Sequence, residues 1–133
     1  MTTDIAAIRP GLTAADAIKA IRAMEPDAES IYYVYVTDEE NHLLGVFSLS
    51  DLVLADPGTL VSSFMHQRVV SANVLTKQDI LAQLVAKYNL LSIPVVDDEN
   101  HLLGMVTADD ALDKIIPTAW KKKLPRYFYY SRA

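Results

Sequence analysis

One eight-residue stretch occurs twice in this chain of 133 residues, and the repeat limits what the chain can fold into. Asp38-Glu39-Glu40-Asn41-His42-Leu43-Leu44-Gly45 returns as Asp97-Asp98-Glu99-Asn100-His101-Leu102-Leu103-Gly104, 59 residues further on. The register holds past the glycine. Ser48 corresponds to Thr107 and Asp51 to Asp110, so each copy closes on G-x-x-[S/T]-x-x-D. A period near 60 exceeds the roughly 20–50 residues of solenoid units and suits a duplicated α/β half. The length fits one domain. The repeat therefore predicts a single pseudo-symmetric α/β (α+β) body: repeat 1 over residues 1–60, repeat 2 over 61–117, and a separate tail over 118–133.

The pattern inside each half is β-α-β-β-α. Thr13-Ala14-Ala15-Asp16 reads as a capping box, and Ile18, Ile21 and Met24 continue a helical stripe that Pro26 stops. Ile31 to Val36 is β-branched and aromatic throughout, as in a strand covered on both faces. His42 to Phe47 is its hairpin partner, and Ser48-x-x-Asp51 opens a short helix that ends at Asp56-Pro57-Gly58. In the second half, Val69 and Val70 predict a short strand and Thr76-x-x-Asp79 a second capping box. Ile80, Leu81, Leu84, Val85 and Tyr88 form the next helical stripe. Leu91 to Val96 predicts a strand in which Pro94 argues for a sheet edge or a strand start. Leu102 to Thr107 pairs with it, and Ala108 to Ile116 closes the repeat.

Cysteine is absent, which excludes disulfides and thiolate chemistry and suits a reducing cytoplasm. No apolar run reaches the ~18 residues of a membrane helix, and Met1-Thr2-Thr3-Asp4 does not open like a secretory leader. Direct membrane insertion is therefore not expected. Through Asp113 the chain holds 17 acidic and 6 basic residues, whereas the last 20 residues hold 6 basic and no acidic ones. A body that acidic repels nucleic acid and attracts cations. The tail mixes Trp120, Lys121-Lys122-Lys123 and Arg126-Tyr127-Phe128-Tyr129-Tyr130, and its expected place is across the acidic body or a sister subunit.

Taken singly, each G-x-x-[S/T]-x-x-D element is a helix cap worth about 0.5–2 kcal/mol. The same geometry also binds anions, because the free N–H groups and the dipole of a helix N-terminus favour phosphate. There the hydroxyl can meet a phosphate oxygen, the aspartate can accept from a ribose diol, and the glycine permits close approach. Two such elements in a duplicated frame carry more weight than one. Catalysis lacks local support: no cysteine, G-x-S-x-G or P-loop pattern occurs, so no enzyme is expected.

With these motifs in view, the halves resemble cystathionine-β-synthase (CBS) domains, and the pair resembles a Bateman module, over Ala7 to Ile116. More narrowly, Ile31 to Val36, Ser48 to Pro57 and Lys87-Tyr88-Asn89-Leu90-Leu91 are similar to the cytosolic CBS pair of MgtE-type magnesium transporters. The resemblance implies a regulatory module that binds AMP, ADP or ATP in clefts between its repeats. It also implies Mg²⁺ binding through surface carboxylates, homodimerisation through the repeats, and a transporter membrane domain in cis or trans. Residue by residue, it implies a second-copy site of Thr107 for phosphate and Asp110 for the diol. Gly104 would allow close approach, and Ile93 with Pro94 would line the base pocket. The first-copy site would use Ser48, Asp51 and Val34, with Tyr35 standing where Pro94 stands, so that its ring stacks on adenine or fills the pocket. Candidate Mg²⁺ ligands are Asp38, Glu39, Asp56, Asp97, Asp98, Asp109 and Asp113, hard oxygen donors of the kind that ion prefers. His42 and His101 lack transition-metal spacing and are expected to be exposed hairpin residues. The competing readings are a nucleotide energy-charge sensor serving an unrelated partner and a purely structural dimerisation module.

Overall fold

The duplication folds as two copies of one small sheet, each with its helices on one face. A computed structural model describes residues 5–25, 32–108 and 111. In the first copy, strand β1 (Ala7–Ile8) runs parallel to β2 (Tyr33–Thr37), which pairs antiparallel with β3 (Leu43–Ser48). Helix α1 (Ala14–Met24) joins β1 to β2, and the short α2 (Leu49–Leu54) follows β3 directly. After α3 (Val61–Phe64), the second copy repeats the order with β4 (Ala72–Asn73), α4 (Gln78–Tyr88), β5 (Ser92–Val96) and β6 (Leu102–Thr107). The sheet orders are β1-β2-β3 and β4-β5-β6.

Local chemistry explains most boundaries. The Thr13 hydroxyl accepts the Asp16 amide and starts α1, one half of the expected capping box, while Glu25 ends it in the left-handed region. Ser48 and Asp51 make a reciprocal capping box that starts α2. The second capping box does not form. Lys77 is the N-cap of α4 without a side-chain bond, and the Thr76 hydroxyl instead accepts the Asn73 amide in the preceding turn. The strand expected at Val69 and Val70 lies later, at Ala72–Asn73, where the parallel register to Val95 and Val96 is available.

Pro94 also differs from its expectation. It sits third in β5, the middle strand of its sheet, opposite Met105 of β6. The cause is a one-residue difference in pairing. In the first copy Ala7 pairs with Tyr35, whose amide bonds to Ala6, whereas β4 begins pairing only at Val95. The missing N–H of Pro94 therefore falls just before the parallel ladder begins and leaves no donor unmade.

Alternation along the middle strands divides the core into three parts. Val34, Val36 and Phe47 pack against α1, α2 and Val61; Ile93, Val95 and Val106 pack against α4 and Ala111. The opposite faces, with Tyr35, Leu43, Val96, Leu102 and Met105, meet each other and join the repeats. The long connection after α2 packs on the first copy. Val61 is fully buried there, and the amides of Val61 and Ser62 bond to the carbonyls of Leu12 and Pro10. Among the described residues no helix is long and apolar enough to cross a membrane.

Candidate functional site

The repeated octapeptides meet each other. Leu43 N–H donates to the Asn100 carbonyl and Leu102 N–H to that of Asn41, at 3.0 and 2.9 Å. The side-chain amides of Asn41 and Asn100 donate to the carbonyls of Leu102 and Leu43. Both asparagines are left-handed (φ 68° and 67°), a conformation this residue tolerates better than most. The His42 and His101 rings stack at 4.5 Å with planes 23° apart. These histidines are therefore not exposed hairpin residues, as expected above; they are half-buried at the pseudo-two-fold seam.

Each histidine is held by the first aspartate of its own turn. Asp38 accepts the amides of Glu40 and His42 and faces His42 Nδ1 at 2.9 Å, and Asp97 repeats all three contacts with Glu99 and His101. The His42 amide bond, more than the partial burial that opposes it, holds the Asp38 carboxyl below the usual range; the His101 amide does the same for Asp97. A depressed folded pKa means that the unfolded state binds more protons, so the stabilisation is present above about pH 4 and lost as the pH falls through the folded values. Melting curves between about pH 3 and about pH 7 should therefore be flatter for Asp38→Asn/Asp97→Asn than for the unaltered protein.

Beside this seam lies a cavity of about 230 Å³, walled by Tyr33, Tyr35 and Val46 of the first repeat and by Val69, Val70, Leu90, Ser92 and Pro94 of the second. Arg68 stands among its lining residues and brings a positive charge. Tyr35 is 1% exposed, and its hydroxyl bonds to the Ser92 hydroxyl at 3.0 Å. Burial, partly offset by the Ser92 bond, pushes the Tyr35 phenol up to about 12, so it stays protonated near neutrality. The Leu91 amide donates to the Tyr33 hydroxyl. Tyr33 and Tyr35 thus tie β2 to the start of β5. Val34 and Ile93, expected to line a base pocket, turn the other way and are fully buried against the helices. The period of two in a strand requires this: if Tyr35 and Pro94 face the cavity, their neighbours cannot. The parity was visible in the sequence, and it pointed to Tyr33 and Ser92. Arg68 and Val69 had no such signal, because their place depends on where the connection leaves α3.

The two G-x-x-[S/T]-x-x-D elements stand differently. At the first, the Ser48 amide donates to Asp51 Oδ2 at 2.9 Å and the Asp51 amide to the Ser48 hydroxyl at 3.1 Å. His66 Nε2 approaches the same Oδ2 at 3.1 Å. Gly45 is crossed by the connection: a Cβ there would come within 2.8 Å of Met65 Sδ and 2.9 Å of the His66 carbonyl oxygen. At the second, Gly104 pairs with Val95 and Thr107 ends β6, while Asp110 lies outside the described residues. Of the expected cation ligands, Asp109 and Asp113 also lie outside them. Glu39, Asp56 and Asp98 are exposed, and Asp98 accepts the Asn73 side-chain amide. Among the described residues no three acidic or histidine side chains converge as a metal site.

Comparison with known proteins agrees with this geometry. The pattern of the CBS domain matches residues 1–58 and again 61–117. The chain belongs to the CBS-domain family. Its tandem CBS pair is like the cytosolic region of MgtE. The magnesium transporter MgtE of Thermus thermophilus is 46% identical over 113 residues, which are 85% of this chain and 25% of that protein. That of Enterococcus faecalis is 44% identical over 115 residues, 86% of this chain and 25% of the relative. The CBS pair thus spans about a quarter of the length of these curated relatives. A crystal structure of the cytosolic domain of the Mg²⁺ channel MgtE in complex with ATP matches at a TM-score of 0.82 and 46% identity, covering 86% of this chain and 46% of that one.

Proposed function

We propose that this CBS pair is a regulatory sensor that binds an adenine nucleotide between its repeats and controls a magnesium or related divalent-cation transporter. The observation that carries the reading is the seam cavity, with its aromatic and apolar wall and an arginine among its lining residues. Its volume, about 230 Å³, is below the ~300–1,000 Å³ of whole-ligand sites and suits a base, with sugar and phosphate reaching out over the rim. The ATP named for the similar MgtE domain supports the ligand class. The similar transporters support a membrane domain as partner, in cis or trans, and a cytosolic location. A non-enzymatic role follows from the same reading. The second-copy roles of Thr107, Gly104 and Asp110 remain part of it. Nucleotide would act by favouring one arrangement of repeats or subunits, and only by its difference in affinity for the two.

Mg²⁺ fits less well within one chain. Asp38 and Asp97 are already committed to their own turns, so a cation would gather the exposed Glu39, Asp56 and Asp98, with Asp109 and Asp113, between two copies. The copies would meet through α2, where Leu49, Val53 and Leu54 are 36%, 71% and 84% exposed. A dimer is expected in light scattering, and Val53→Glu/Leu54→Glu should shift it to monomer without lowering the melting temperature of the monomer. A dimer that survives this double change would rule α2 out. The ligand reading is tested by melting the protein with AMP, ATP and Mg²⁺ singly and in pairs. A saturable rise with nucleotide is expected, and no rise with anything would leave the structural dimerisation module.

A further inference from the structure

We propose that His66 is a specificity-determining residue at the first-copy element: it holds the Asp51 carboxylate that a ribose diol would need, so a ribonucleotide binds there in competition with it. The inference rests on the nucleotide reading above and adds to it what sets affinity at one of the two elements. The backbone of His66 is fixed on the edge of β3, where its amide donates to the Val46 carbonyl at 2.7 Å and its carbonyl accepts the Val46 amide at 3.0 Å. Val46 stands two residues before Ser48, so this pairing delivers the imidazole to the start of α2. There Nε2 lies 3.1 Å from Asp51 Oδ2, the oxygen that also accepts the Ser48 amide.

A vicinal diol is recognised by a carboxylate that accepts from both hydroxyls. With one oxygen shared between the helix cap and His66, that acceptor capacity is reduced. The His66 side chain is 64% exposed, so it can swing away without repacking the core. Asp51 is the charged group facing it. In sequence, proline rather than histidine stands 59 residues on from His66, at position 125.

The test is calorimetric titration of the full chain with AMP and with 2′,3′-dideoxy-AMP, which lacks the diol. An Asp110→Ala background isolates the first element. His66→Ala should tighten AMP binding about two- to fivefold, the scale of an exposed polar contact to a charge, and leave the dideoxy compound unchanged. His66→Gln, which keeps a donor to Asp51, should keep the AMP affinity of the unaltered chain. Weaker AMP binding in His66→Ala, an unchanged affinity, or equal tightening of both compounds would overturn the role of His66. Absence of AMP binding in every variant, including chains with Asp110 intact, would instead overturn the nucleotide reading itself.

Discussion

Tyr35→Ala is expected to lower the free energy of unfolding by about 3–5 kcal/mol, the range for removing a large buried aromatic ring. The side chain is 1% exposed, packs with Leu43, Val96, Leu102 and Met105 of both repeats, and carries the bond to Ser92. Its loss opens a void at the seam and leaves the buried Ser92 hydroxyl without its partner. Tyr35→Phe separates the two effects. It keeps the ring and removes only the bond, so the cost should fall to about 1–3 kcal/mol. Urea denaturation of the pair measures both. Similar costs for the two variants would mean that the ring is not what joins the repeats.

Gly45→Val is expected to be nearly as damaging, for a different reason. Gly45 does not adopt a positive φ, so its need for glycine is not conformational. The need is spatial: a Cβ would meet the Met65 side chain and, more stubbornly, the His66 backbone oxygen. The connection would have to lift off β3, breaking the two bonds between Val46 and His66. Gly45→Ala should cost about 1–3 kcal/mol, as for an overpacked core, and valine more. A cost for both variants below about 0.5 kcal/mol, ordinary for a surface change, would show that the crossing is loosely held. This glycine looked in the sequence like the partner of a phosphate. In the structure its open side is taken by the chain's own connection, a role no local pattern could reveal because Met65 and His66 are 20 and 21 residues away.

The same contrast between local and distant causes separates what was legible from what was not. The repeat, the hairpins and the capping box at Ser48 depend on neighbours within a few residues and formed as read, as did the Thr13 half of the first box. Thr76 offered an equal capping pattern, but a turn with Asn73 competed for its hydroxyl and won. Pro94 looked like an edge residue because its tolerance depends on where another strand begins to pair. The octapeptide was recognisable as a repeat, yet nothing within one copy announced that Asn41 would bond to Leu102, Asn100 to Leu43, and His42 stack on His101. That contact is a property of the duplication as a whole. At the site, Tyr35 and Pro94 line the cavity, whereas Val34 and Ile93, expected beside them, pack towards the helices.

The seam cavity as a nucleotide site is the centre of this account, and calorimetric titration of ATP and AMP into the unaltered chain and into Asp110→Ala tests it most directly. Saturable binding, weakened in Asp110→Ala while the fold and melting profile are retained, is the predicted result. No heat of binding and no competition between ATP and AMP, with the protein shown to be folded, would contradict it.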